Sequence, residues 1–175
     1  MNHEDHLKFY NEIKNLTTTR FLEDGTVPPI IYCVKGGKIE VYFIASMADI
    51  NEKNIVEKLM VKLIDSGAEA LCFISEIWTL EEKHIHTRND YPDINNNPNK
   101  NEALMLKYSA QGFDLIGMAF IIRKDVDPWS ARLSKLGSKP TLGEWKEIKG
   151  TQAMHQEGRF CNLWEKARSL HFQEN

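Results

Sequence analysis

The sequence predicts an α+β domain: a mainly antiparallel or mixed five-stranded sheet, built of two hairpins plus a central strand, with helices packed on one face and a partly helical C-terminal arm. Three observations carry this expectation. Runs of β-branched and aromatic residues, Ile30 to Val34 and Ile39 to Met47, flank Lys35-Gly36-Gly37-Lys38. The run at 69–80 is apolar on both of its alternating faces. A second pair of strand-like runs, Leu104 to Ser109 and Phe113 to Ile122, surrounds Ala110-Gln111-Gly112.

Each element has a local reason. Residues 3–16 carry Leu7, Phe9, Tyr10, Ile13 and Leu16 on a rough apolar face, with Asn2 placed to cap it, so a short first helix is expected. The Thr17-Thr18-Thr19 run and the segment 23–29, with Gly25, Pro28 and Pro29, are read as breaking it. In the first hairpin, Gly36-Gly37 accepts the positive φ that both central positions of a type I′ turn demand. Residues 50–66 repeat Ile55, Val56, Leu59, Met60, Leu63 and Ile64 at helical spacing; Asp49 and Glu52 form a capping box, and Gly67 stands where a C-terminal stop belongs. The 69–80 strand follows, then a polar loop at 81–101 rich in Asn, with Pro92 and Pro98. After the second hairpin, Asp127-Pro128 starts a short helix that Gly137 ends; 138–158 has weak periodicity; a last helix spans 159–171 with Phe160, Leu163, Trp164, Ala167 and Leu170 on its apolar face. The expected organisation is a single domain over 1–175, with a sheet–helix core at 1–125 and the arm at 126–175.

Composition narrows the function classes. With 42% hydrophobic and 27% charged residues and a net charge of −3, the chain reads as an ordinary soluble globular protein. The charge gives no general electrostatic case for nucleic acid or an anionic membrane. The apolar runs are too short and interrupted to span a bilayer. The three cysteines, Cys33, Cys72 and Cys161, include no Cys-x-x-Cys pair; the count and the apolar surroundings of Cys33 and Cys72 point to reduced thiols and a cytoplasmic location. Gly36-Gly37 is a turn and not a phosphate loop, since no Gly-x-x-x-x-Gly-Lys pattern follows.

The residues that could carry chemistry are few. His84 and His86, with Asp90, offer imidazole and carboxylate ligands to a divalent transition metal, and a His-x-His pair on extended backbone turns both rings to one side. Some zinc isopeptidases use such a pair with Ser and Asp downstream, where this chain has Ile94 and Asn97; the same residues also fit a solvated polar loop. No other cofactor is expected. Glu76 shares a strand face with Cys72, Ile74 and Trp78, so its carboxylate needs either a partner or a raised pKa; it is the candidate catalytic acid or base, or else a structural ion pair with Lys100, Lys107 or Arg123. Trp129, Trp145 and Trp164 fall among Arg123, Arg132, Lys135, Lys139, Lys146 and Lys149, a mixture that stacks on bases in some proteins but more often packs an arm or anchors a protein interface; Trp129 and Trp145 are the candidate binding residues there.

The segment Ser75-Glu76-Ile77-Trp78, followed by a polar loop and by Pro98-Asn99-Lys100-Asn101-Glu102, resembles a group of small uncharacterised bacterial and phage proteins with a Ser-Glu-x-Trp strand and a Pro-x-Arg-x-Glu segment. Lys100 stands here where Arg is usual. The resemblance covers about residues 69–123, brings no activity, and implies that Glu76, Trp78, Lys100 and Glu102 lie together near one end of the sheet. From these readings the first expectation is a non-enzymatic binding or protein-interaction module, self-associating or binding another protein. A metal-dependent hydrolase using His84, His86 and Asp90 with Glu76 comes second. A nucleic-acid-associated protein comes third.

Overall fold

The computed structural model describes residues 1–47, 49–80, 98–123, 139–149 and 162–171. Their elements, in chain order, are α1 (His3–Asp24), β1 (Ile30–Lys35), β2 (Lys38–Phe43), α2 (Ile50–Asp65), β3 (Ala70–Leu80), β4 (Lys100–Ala110), β5 (Phe113–Ile122), β6 (Thr141–Leu142), β7 (Lys146–Lys149) and α3 (Leu163–His171). The fold class is α+β, and the sheet is open and antiparallel, in the order β2-β1-β3-β4-β5-β6, with β7 also paired to β5.

Both hairpins form as the turn chemistry requires. Gly36 and Gly37 have φ of 55° and 70°, between the closing pair Lys35 and Lys38. These are the two left-handed positions of the first turn, where a side chain is strained. Since β1 is antiparallel to both β2 and β3, β2 and β3 run parallel, and α2 is the crossover between them. Its capping box is present: Asp49 accepts from the backbone N–H groups of Asn51 and Glu52, and Glu52 returns a bond to the Asp49 N–H.

Three expectations are corrected. The helices do not share one face. On β1, Ile30, Tyr32 and Val34 belong to the core under α1, whereas Ile31 and Cys33 belong to the core under α2 and α3. On β3 the same split separates Ala70, Cys72 and Ile74 from Leu71 and Phe73. A strand apolar on both sides needs a cover on both. Among the described residues the sheet has seven strands rather than five, because the weakly periodic C-terminal stretch adds β6 and β7 beside β5. Finally, α1 continues through the threonine run to Asp24, and Gly25 ends it at φ 77°. Tertiary contacts outweigh the low helix propensity of threonine here. Thr17 is buried, the Thr18 hydroxyl donates to the Lys14 carbonyl at 2.8 Å, and Phe21, a turn further on, is fully buried.

The α1 core closes with little room. Gly117 on β5 faces α1, and a Cβ there would collide with the Tyr10 hydroxyl and stand 3.2 Å from the Trp145 ring. Trp145 is thereby seated between β5 and α1, with its indole N–H donating to Thr18 Oγ1 at 3.2 Å. At the helix's other end, the His6 Nδ1 and the Tyr108 hydroxyl share a 2.6 Å hydrogen bond, and the His6 ring stacks on Phe113 at 5.3 Å. Burial lowers the His6 pKa below its ordinary 6.5.

Two predictions follow from this packing. Gly117→Ala costs about 1–3 kcal/mol by overpacking. Combining it with Tyr10→Phe, which removes the obstructing oxygen, restores part of the loss in urea denaturation; a double variant no more stable than Gly117→Ala would place the conflict elsewhere. For His6, the unfolded chain takes up a proton before the folded one does. Its contribution is therefore complete above about pH 6.5 and is lost as pH falls through the lower folded-state value. Urea midpoints measured from pH 7.5 to pH 5 should fall for the wild type and fall less for His6→Phe.

Candidate functional site

At the far end of β3, strand pairing gathers the residues that the Ser-Glu-x-Trp resemblance grouped. Glu76 pairs with Leu104, Trp78 with Glu102, and Leu80 with Lys100. Side chains alternate along a strand, so Glu76 and Trp78 share the α1 face with Cys72 and Ile74. Glu102 and Lys100 share it with Leu104, and Arg123, just beyond β5, continues the face of Ala119 and Ile121. Here the face runs past the α1 core, and polar residues replace apolar ones.

The geometry is specific. Glu76 Oε1 accepts from the Thr26 hydroxyl and from the Val27 backbone N–H, both at 2.7 Å. Its other oxygen lies 3.9 Å from an Arg123 guanidinium nitrogen, and Arg123 Nε donates to the Glu102 carboxylate. The Lys100 ammonium stands 4.4 Å from the centroid of the Trp78 ring, which is 42% exposed. Glu76 thus joins the segment leading into β1 to the central strand, and Arg123 bridges two carboxylates that would otherwise repel. Of the three cations the sequence offered Glu76, Arg123 is the one that meets it; Lys107 points to the other face, where it is buried near Asp114 and Ser109. What this cluster presents to solvent is a half-exposed indole with a cation over it, a surface suited to contact.

The other candidates are placed differently or not at all. Trp145 packs against Gly117, six residues along β5 from Arg123, about 20 Å at ~3.4 Å per residue. His84, His86, Asp90 and Trp129 lie outside the described residues. Among the described residues no group of three or more His, Cys, Asp or Glu side chains is arranged to hold a metal ion. Burial raises the pKa of the Cys33 and Cys72 thiols, which makes them poor nucleophiles. A groove of about 820 Å³ runs between α2 and α3, lined by Ile55, Leu59, Lys58, Lys62 and Lys166.

Sequence reasoning missed one surface. Strand β2 is an edge, and its alternating residues Ile39, Val41 and Phe43 are 55%, 44% and 67% exposed. They lie on the α1 face, opposite Val34, Tyr32 and Ile30, beyond the reach of α1. Hydrophobic alternation alone reads such residues as core. The signal that would have separated them is the order of strands, which puts only β1 beside β2.

No family model matches the chain, and comparison with curated proteins and with solved structures yields no match. Among the described residues no helix is long and apolar enough to cross a membrane.

The Glu76 cluster makes a direct prediction. Glu76→Ala leaves the Val27 N–H without its acceptor and costs about 1–3 kcal/mol. Arg123→Ala removes only a 47%-exposed partner and costs less than about 1 kcal/mol. Equal losses in chemical denaturation would show that the ion pair, and not the tie to Val27, is what Glu76 supplies.

Proposed function

We propose that this chain is a non-enzymatic protein-interaction module whose contact surface is the open edge of its sheet. The observation that carries the reading is the stripe of Ile39, Val41 and Phe43 on edge strand β2. A strand face turned to water ordinarily alternates apolar-in with polar-out, and here the outward positions on the α1 side are apolar. Contiguous exposed apolar surface of this kind marks an interaction site.

The backbone supports the same reading. An edge strand offers a row of unpaired N–H and C=O groups, and natural edges are commonly blunted by proline, a bulge or a cover. Strand β2 has no proline, and its six residues pair with β1 without interruption. At the opposite end of the sheet, the edge is made by the short strands β6 and β7 beside β5. The indole and cation of Trp78 and Lys100 form a second contact surface at the end of β3. The reading also places the protein in the cytoplasm, with its thiols reduced.

The test is whether the stripe is surface or core. Phe43→Ser should leave the unfolding free energy from urea denaturation nearly unchanged, within about 0.5 kcal/mol, and should lower retention on a phenyl-hydrophobic column. Leu104→Ala, in the true core, should cost about 2–5 kcal/mol. If Phe43→Ser costs as much as Leu104→Ala, the stripe packs within the fold and the proposal is wrong.

A further inference from the structure

Resting on that reading, and naming its partner, we propose that the edge of β2 takes a second copy of this chain. The two β2 strands pair antiparallel about a two-fold axis, with Val41 opposite the partner's Val41. The sheet then runs without a break through both copies.

Lys35 and Lys38 close the two-residue turn, so the even-numbered residues of β2 direct their N–H and C=O groups at β1. The bond from the Ile44 N–H to the Pro29 carbonyl, 2.9 Å, continues that series. Ile39, Val41 and Phe43 therefore turn their backbone groups away from the sheet. These are also the three residues with exposed apolar side chains. The set is centred on Val41, so a copy rotated by half a turn presents the same groups at the same spacing. Ile39 then meets the partner's Phe43, Val41 meets the partner's Val41, and Phe43 meets the partner's Ile39. Three such pairs exchange about six hydrogen bonds, two for each pair.

Charge and apolar pairing together select this register over its neighbours. Centred on Val41, the pairing sets Glu40 opposite the partner's Tyr42, whose hydroxyl already donates to a Glu40 carboxylate within its own strand at 2.6 Å. Shifted one way, the neighbouring same-face register sets Glu40 against the partner's Glu40, and like charges directly opposite are destabilising; shifted the other way, centred on Tyr42, it turns Ile39 to the partner's Ala45, beyond the end of β2. A further shift, centred on Ile39, pairs Lys38 with the partner's Glu40 but withdraws Val41 and Phe43 from the contact. The register centred on Val41 alone pairs all three apolar residues with apolar counterparts within β2. Because the same patch serves both copies, the assembly closes at two. The contact is smaller than a standard interface of about 1,200–2,000 Å², so the dimer forms reversibly.

Sedimentation of the full chain across a concentration series should show the mass rise from 20.2 kDa towards twice that value, and Phe43→Lys should abolish the rise. The register is read by cross-linking with a short bifunctional thiol reagent in a Cys161→Ser background, where Cys33 and Cys72 are buried from the reagent. Val41→Cys should cross-link. Ile39→Cys should not, because its own counterpart lies four residues away along the partner strand, about 14 Å. Cross-linking at Ile39→Cys and not at Val41→Cys would overturn the pairing, as would a mass that stays monomeric at every concentration. A persistent monomer whose Phe43→Ser variant is fully stable removes only the second copy and leaves the edge as a site for another protein's strand. A monomer strongly destabilised by Phe43→Ser removes both proposals.

Discussion

Strand β3 is buried on both faces, and the remaining elements are arranged to keep it so. Leu71, Cys72 and Phe73 have no exposed surface, and the strand is zipped to β4 from Ala70↔Ala110 to Leu80↔Lys100 while also pairing with β1. A strand in that position must be covered twice. The chain does so by sending α1 to one side before the sheet begins and α2 to the other as the crossover between β2 and β3. The ion pair of Lys166 with Glu57 and the burial of Leu163 and Ala167 then fasten α3 beside α2. Because α1 lies over β1, β3, β4 and β5, among the described residues the strand furthest out, β2, lacks a cover on the α1 side. The same arrangement that completes the core exposes the edge.

The end of the sheet shows how a burial gradient along one strand becomes a site. Cys72 and Ile74 sit deep under α1, and Glu76 and Trp78 continue the same face into solvent. Glu76 is where the transition occurs. Its carboxylate accepts the backbone N–H of Val27, a residue 4% exposed, and so satisfies a donor that the loop before β1 would otherwise bury unpaired. The charge is balanced by Arg123, which reaches it from the end of β5.

Much of this was legible in the sequence, and the gaps have physical causes. The glycine pair at 36–37, the capping box at Asp49 and Glu52, and the doubly apolar run at 69–80 are local signals, and each element they indicate is present. The grouping of Glu76, Trp78, Lys100 and Glu102 was implied by the resemblance of their segments, and the pairing of β3 with β4 brings these positions together. The length of α1 was not, because the threonines that discourage a helix locally are held by packing from elsewhere. Nor were β6 and β7: Thr141–Leu142 and Lys146–Lys149 are too short and too polar for periodicity, and they exist as strands because β5 offers them an edge. Arg123 as the partner of Glu76, and the exposure of Ile39, Val41 and Phe43, depend on strand order, which no single run of residues encodes.

Stability is concentrated in the β3–β4 ladder, while β2 is a chemically open edge. Amide hydrogen exchange resolved by residue, at a concentration low enough to keep the chain monomeric, measures this directly. The account predicts the slowest exchange at Leu71 to Ile74 and at Leu104 to Tyr108. It predicts fast exchange at Ile39, Val41 and Phe43, with Glu40 and Tyr42 protected between them. Uniform protection along β2, or β3 amides that exchange as quickly as those of the edge, would contradict it.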